Sequence, residues 1–200
     1  MRNSNKLVRG IGVKGMEYTT KEGRHTKEYS LWSSMLRRCT EKSWIKHPSY
    51  KGVTCSENFK SYTFFYEWCQ SQVGFGNKDE RGKSWQLDKD ILAEGSKVYS
   101  EGVCCFVPQM INTLLIKCDA SRGDWPIGVY WNKERGVFKS HSMDRDGKKR
   151  FLGCFKTPQE AFQAYKTFKE ALIKEVANEY KEQLDSRVYQ ALMNYEVNEK

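Results

Sequence analysis

The chain has 200 residues and a mass of 23.4 kDa, with a mean hydropathy of −0.77 and 14% aromatic residues. That length suits one domain or two small ones, the aromatic content excludes wholesale disorder, and no run approaches the ~18 apolar residues of a membrane-spanning helix. The 34 Lys and Arg outnumber the 25 Asp and Glu for a net charge of +9, which points to a polyanionic partner, nucleic acid first, with a well-solvated basic surface as the alternative.

In chain order, residues 7–29 scatter Gly10, Gly12, Gly15 and Gly23 among Val, Tyr and Thr, a pattern of short strands or a hairpin turning at Lys21 to Gly23. From Tyr29, the helical spacing of Leu31, Trp32, Met35, Leu36 and Cys39 predicts a helix, with Ser30 as candidate N-cap and Arg37 and Arg38 in its last turn. His47-Pro48 opens a loop, Val53 to Cys55 reads as a strand, and Phe59 to Cys69 as a second helix. After a polar loop from Gly74 to Lys83, Trp85 to Ile91 and Val103 to Val107 form a predicted hairpin, and Pro108 starts a helix reaching about Ile116. Asp119 to Pro126 reads as a linker. Three strands follow, Gly128 to Trp131, Val137 to Met143 and Arg150 to Phe155, and then a helix opened by Thr157-Pro-Gln-Glu160 and continuing weakly to Tyr195.

Charge is uneven along this plan. Residues 1–50 hold 11 Lys or Arg against 4 Glu, residues 126–157 hold 8 against 3 acids, and residues 158–200 hold 6 against 8. Two basic blocks suited to a phosphate backbone and one mildly acidic tail are expected. The cysteines, Cys39, Cys55, Cys69, Cys104, Cys105, Cys118 and Cys154, are odd in number. Met1 to Lys6 carries no apolar signal region, so reduced thiols in a cytosolic setting are expected.

The last three strands and their helix make a small α+β unit. One sheet face packs on the helix and the other faces outward. Alternation puts Phe138, Ser140 and Ser142 on one face and Lys139, His141 and Met143 on the other. The run from Gly128-Val-Tyr-Trp through Phe138, Gly147 to Phe155 (with Leu152-Gly-Cys-Phe), Thr157 to Ala161 and Ala164-Tyr165 resembles the Apetala/ethylene-response-factor DNA-binding domain over about 50 residues. The resemblance implies that the outer sheet face contacts DNA: Tyr130, Asn132, Lys139, His141, Lys149 and Phe151 as readers of bases, and Lys133, Arg135, Lys148 and Arg150 on phosphates. Tyr, Asn and His stand where plant members carry arginines, so a different sequence would be read. Edge packing is the alternative role for Tyr130 and Phe151, and solvation for the lysines.

In the central segment, Leu87-Asp-Lys-Asp90 closes the first strand and Asn112 lies on the helix. Strand, loop, strand and helix in this order resemble the ββα-metal nucleases of the HNH class. There an acid with an amide or imidazole holds one divalent ion against the scissile phosphate, and a His activates water. A longer resemblance, over residues 7–177, is to phage-encoded HNH-type homing endonucleases that end in an Apetala-type domain. It rests on Trp32, Met35, Leu36, Arg38, Cys39, His47, Pro48, Tyr50, Leu87 to Asp90, Tyr99, Ser100, Cys104, Phe106, Val107, Asn112 and Pro126 to Val129. It implies Asp88, Lys89, Asp90 and Asn112 as catalytic residues, Asp88 and Asn112 as metal ligands, and Mg²⁺ or Mn²⁺ as cofactor. Lys89 stands where these enzymes place the general-base His, and Val103 or a neighbour stands near their middle Asn. An ordinary lysine, with a pKa of roughly 10.4, is protonated near neutrality and neutralises phosphate rather than accepting a proton. The plainer reading makes Asp88 and Asp90 turn caps and Asn112 a residue bonded within its helix. His25 or His47 would supply a base from elsewhere. Cys39, His47, Cys55 and Cys104 lack the Cys-x-x-Cys spacing of a zinc knuckle, so no structural zinc is expected.

The expected protein is therefore of α+β class: a degenerate ββα-metal, HNH-like domain at 1–119, a linker at 120–126, an Apetala/ethylene-response-factor-like domain at 127–177 (a three-stranded antiparallel sheet on one helix) and a helical tail at 178–200. The leading expectation is a phage DNA-binding protein that cleaves or nicks double-stranded DNA with a divalent metal in the cytoplasm of the infected bacterial host. The alternative is an inactive DNA-binding protein on the same scaffold, acting as repressor, DNA mask or anti-defence factor. A third reading has the tail from Tyr165 to Tyr195 holding a homodimer or another protein.

Overall fold

The computed structural model describes residues 7–15, 18–116 and 123–199. Met1 to Lys6, Cys118 and the first part of the expected linker, up to residue 122, lie outside the described residues. The chain is mixed α and β and divides into two compact units, Met1–Val107 and Pro108–Lys200. No helix among the described residues is long and apolar enough to cross a membrane.

The first unit opens with a turn closed by the Val8 and Gly12 bridge, then the expected hairpin, β1 (Thr20–Lys21) and β2 (Arg24–His25). Helix α1 spans Lys27–Arg38 and is capped by Thr26, whose hydroxyl accepts from the Tyr29 N–H. It therefore starts a turn earlier than a Ser30 cap would have it. Thr26 Oγ1 also lies 3.0 Å from the Tyr62 hydroxyl, a long-range tie that local sequence does not advertise. Trp32, Met35 and Leu36 form the buried stripe of α1. A short helix, α2 (Glu41–Lys46), leads into a 3₁₀ turn at Pro48–Tyr50, where His47-Pro48 was expected to open a loop.

The single helix expected from Phe59 to Cys69 is two helices, α3 (Glu57–Lys60) and α4 (Tyr62–Ser71). The break has a cause far away in sequence. Val13 donates to the Lys60 carbonyl at 2.8 Å and accepts from the Tyr62 N–H at 2.9 Å, pulling Ser61 into an extended conformation from which its hydroxyl caps α4. Phe59, Tyr62, Phe65, Trp68 and Cys69 still face the core with Trp32, Trp85 and Phe106.

Strand β3 (Thr54–Cys55) pairs in parallel with β5 (Val98–Tyr99). Strand β4 (Gln86–Asp88) pairs antiparallel with β6 (Cys105–Val107), in the register Leu87 to Phe106 and Asp88 to Cys105. The expected hairpin pairing is present, with β5 inserted between its arms in sequence.

In the second unit, Pro108 precedes α5 (Gln109–Leu114). Strands β7 (Val129–Asn132), β8 (Val137–Met143) and β9 (Lys149–Phe155) form one antiparallel sheet in that order. Helix α6 (Pro158–Glu179) packs on it. Its start is a complete capping box: Thr157 accepts from the Glu160 N–H while the Glu160 carboxylate accepts from the Thr157 N–H. The expected helix to Tyr195 stops at Glu179, turns, and resumes as α7 (Ser186–Met193), which Asp185 caps. Phe162, Tyr165 and Val197 make a buried cluster with Ile127, Val129, Leu152 and Tyr195 around it. Gly128 enters β7 at φ +79, and a Cβ there would lie 2.1 Å from the Tyr165 ring, so only glycine lets the strand start so close to α6.

Candidate nucleic-acid interface

The sheet of the second unit sorts its side chains as the alternation predicts. Phe138, Ser140 and Ser142 are buried beneath it. On the outer face the register sets Tyr130 opposite Lys139, His141 opposite Phe151 and Met143 opposite Lys149. Tyr130, His141 and Phe151 thus lie side by side across three strands. The Tyr130 and His141 rings are 5.0 Å apart and tilted by 30°, and those of His141 and Phe151 are 5.3 Å apart. The Tyr130 hydroxyl is 3.4 Å from His141 Nε2, and the Lys149 ammonium stands 5.3 Å from the Tyr130 ring centre. Phe151 is 59% exposed and Tyr130 37%.

Burial, and then Lys149 and Lys139, push the His141 imidazole below its ordinary pKa. Its Nδ1 is buried and has no hydrogen-bond partner. Two lysines beside the aromatic row leave that face positively charged. Among the described residues, Lys133, Arg135, Lys139, Lys148 and Lys149 have no acidic partner, and Arg150 has a distant one, Asp144, at 3.6 Å.

Two turns hold these groups. Asp144 Oδ1 accepts from the Asp146 and Lys148 N–H groups, fixing the β8–β9 turn that presents Lys148 and Lys149. Asn132 Oδ1 accepts from the Arg135 N–H, so half of the Asn132 amide is committed to the β7–β8 turn and only its NH₂ faces a ligand. A β-bulge falls between Ser140 and His141: Ser140 pairs with Gly153 and His141 with Phe151, leaving Leu152 as the extra residue. That bulge re-aims Phe151 to the outer face. The sequence signal for it was Gly153, read only as part of a family motif.

The residues expected to carry chemistry are arranged differently. Asp88 ends β4, and its Oδ1 accepts from the Asp90 N–H at 2.8 Å and the Ile91 N–H at 2.9 Å. Burial holds its pKa above the ordinary carboxylate value, an effect those two N–H groups offset only in part. The Lys89 side chain turns inward: the residue is 8% exposed, and its ammonium donates to Asp90 Oδ1 and the Ser96 carbonyl, each at 2.5 Å, with the Tyr99 ring centre 5.7 Å away. Asp88, Lys89 and Asp90 therefore meet around one turn of the first unit, whereas Asn112 belongs to α5 of the second. Among the described residues no group of three His, Cys, Asp or Glu is gathered for a metal ion, and within the first unit the Asp88 turn by itself does not fit one. One carboxylate oxygen there is spent on the backbone, and the neighbouring cation neutralises the other acid.

The Cys39 thiol donates to the Met35 carbonyl at 3.4 Å, and the neighbouring Cys55 thiol, followed by burial, holds the Cys39 pKa well above the ordinary value while that of Cys55 is lowered. Cys104 lies near enough to Cys39 to be felt electrostatically and is pushed up to about 12 by burial. His47 instead faces Tyr50, with ring centres 6.0 Å apart.

No family model, no curated protein sequence and no solved structure matches the chain.

Proposed function

We propose that the chain is a DNA-binding protein of phage type that acts in the cytoplasm of an infected bacterial host and lays the outer face of β7–β9 on double-stranded DNA. Tyr130, His141 and Phe151 meet bases or sugars, with Lys139 and Lys149 between them, and Lys133, Arg135, Lys148 and Arg150 reach phosphates at the two turns. The observation that supports this most is the bare phenyl ring of Phe151, set in one row with Tyr130 and His141 and bordered by lysines that lack acidic partners. Exposed aromatic surface is stabilised when it is covered, and unpaired cations are stabilised by phosphate. The test is fluorescence anisotropy on duplexes of phage genomic DNA over a range of salt. Lys133→Ala with Lys148→Ala is expected to lower the slope of log K against log salt by about 2, since both are placed on phosphate. An unchanged slope overturns the reading.

The order β4, β6, α5 with Asp88 at the end of β4 supports a second reading, an HNH-like homing endonuclease working with Mg²⁺ or Mn²⁺. Cleavage or nicking that needs the metal and is lost in Asp88→Ala supports it. Metal-independent binding with no cleavage supports a repressor, DNA mask or anti-defence factor instead. For the tail, Val188 and Leu192 are buried within the second unit, so a homodimer through it would have to use the remaining faces of α6 and α7.

A further inference from the structure

The first unit carries a cleft of about 550 Å³ between the Val8 to Gly12 turn and the solvent side of α1. Its walls supply Arg9, His25, Tyr29, Ser30, Ser33 and Ser34, and no Asp or Glu lines it. We infer that this cleft is an anion site for a backbone phosphate of nucleic acid, a second contact made by the first unit independently of the sheet. The inference rests on the DNA-binding reading above.

Trp32, Met35 and Leu36 are buried on one side of α1, and Ser30, Ser33 and Ser34, at the i, i+3, i+4 spacing, share another. A row of serines alone would be a solvated helix face. Here a second segment is folded over it. Gly12 lies so close to the helix that a Cβ would fall 2.3 Å from Leu36 and 2.7 Å from Trp32. The absence of a side chain at Gly12 is what lets the turn close down on α1. The turn bonds, Val8 N–H to Gly12 O at 2.8 Å and Gly12 N–H to Val8 O at 2.9 Å, put Arg9 at its tip in the left-handed region, φ +56. A non-glycine residue is held there at a cost. From that position Arg9 Nε donates to Ser33 Oγ at 3.3 Å, and the guanidinium has no acidic partner among the described residues. On the far wall His25 has Nδ1 3.4 Å from the Thr19 carbonyl and its ring 4.7 Å from that of Tyr29. The imidazole is thereby oriented, with Nε2 as its other polar atom.

The chemistry of this lining selects the ligand. A guanidinium, an imidazole, a phenol and three hydroxyls can all donate to one acceptor group, and nothing there neutralises the guanidinium. A phosphodiester is the acceptor-only, singly charged group that such a set matches, and an arginine held by its Nε keeps the terminal nitrogens for it. The N-terminal basic block, 11 Lys and Arg against 4 Glu in residues 1–50, attracts the same partner. A single carboxylate would be held by the same donors and drawn by the same field, but only a polyanion can engage a charge excess spread over fifty residues at many points.

The test uses the full chain and four variants. Arg9→Asn removes the charge and keeps a residue that tolerates positive φ, and Arg9→Lys restores a point charge. Ser33→Ala with Ser34→Ala removes hydroxyls only, and Lys139→Ala with Lys149→Ala disables the sheet. Affinity for a duplex of random sequence is measured against salt, with thermal melting as the control for folding. Arg9→Asn is expected to weaken binding about tenfold and to lower the salt slope by about 1. Arg9→Lys recovers the slope, and the serine variant weakens binding with the slope unchanged. The sheet variant retains a salt-sensitive residual affinity that Arg9→Asn then removes. Arg9→Asn with wild-type affinity and slope overturns this site while leaving the sheet reading standing. A sheet variant that binds like wild type overturns the sheet reading while leaving the cleft. The His25 ring resonances, titrated with inorganic phosphate, a nucleoside monophosphate and a short duplex, separate the sources: shifts with duplex support the assignment, and shifts with the small phosphates alone overturn it in favour of a free phosphate compound.

Discussion

The Asp88 turn and the outer face of the β7–β9 sheet both concentrate charged side chains, and they treat them in opposite ways. At the turn every charge is consumed internally: Asp88 by two backbone N–H groups, Lys89 by Asp90 and a carbonyl. On the sheet the acids serve the turns, the lysines stand unpaired, and a phenyl ring lies bare between them. Internal satisfaction is what a group acquires when its job is to hold the chain. A surface left unsatisfied on a well-ordered scaffold is shaped for something that arrives later. By that criterion the turn of Leu87-Asp-Lys-Asp90 is internally satisfied, and the sheet is the surface on which the proposed DNA contact is to be tested.

The strongest way to break this contrast is to strip the sheet. Tyr130→Ala, Lys149→Ala and Phe151→Ala together should weaken duplex binding about 100-fold or more at moderate salt, since stacking and phosphate contacts are lost at once. Melting should barely move, because all three side chains are on the exposed face. A variant that binds like wild type would end the argument for the sheet.

Asp88 sharpens the other half. Asp88→Ala leaves two N–H groups without an acceptor and should cost about 1–3 kcal/mol, a fall of several degrees in Tm, with duplex affinity kept. Asp88→Asn retains an oxygen for the turn and should melt close to wild type. If metal-dependent cleavage exists, Asp88→Asn abolishes it at little cost in stability, and the two roles of this residue come apart. Lys89→Met keeps the buried stem and deletes the charge. It should leave the salt slope of DNA binding unchanged, since the ammonium points inward, whereas a phosphate clamp would lose about one unit of slope.

The smallest expected effect concerns pH. His141 has a folded-state pKa below its ordinary value of 6.5, with burial and then Lys149 and Lys139 as causes. The unfolded chain therefore binds the proton first as pH falls, and His141 contributes stability above pH 6.5 that is lost progressively below it, until the folded-state pKa is passed. Phosphate laid on the sheet opposes the two lysines, raises that pKa and makes duplex binding take up a proton. Affinity should rise slightly as pH drops through the region below 6.5, and His141→Gln should flatten the profile.

Much of the second unit was legible in the sequence. Period-2 alternation on β8 and the Thr157-Pro-Gln-Glu160 start of α6 are local signals, and they specify their elements without help from elsewhere. The first unit was harder to read, for one recurring reason: its decisive contacts join residues far apart. Thr26 meets Tyr62, Val13 splits α3 from α4, and β5 crosses to β3. None of these leaves a periodic mark. The same holds for the sites. Counting along β8 placed Lys139 and His141 on one face, while Tyr130, Lys149 and Phe151 were expected beside them only from the family resemblance. Nothing local showed that Lys89 turns inward, or that Arg9 comes to rest on Ser33. The i, i+3, i+4 spacing of Ser30, Ser33 and Ser34 on one side of α1 is a local hint of a second surface.

The bulge at Leu152 has a consequence for how the protein behaves at high concentration. β9 is an outer strand of the sheet, seven residues long, with one flank of its backbone unpaired within the sheet. A flat strand of that length invites a neighbour's strand to dock alongside and extend the sheet from molecule to molecule. The extra residue interrupts the hydrogen-bonding rhythm, coils the strand, and leaves Lys149 and Arg150 at its leading end. Deleting Leu152 would straighten the ladder into a better template for its own kind. A chain that must stay dispersed while exposing a phenyl ring gains from having its longest free edge bent out of shape.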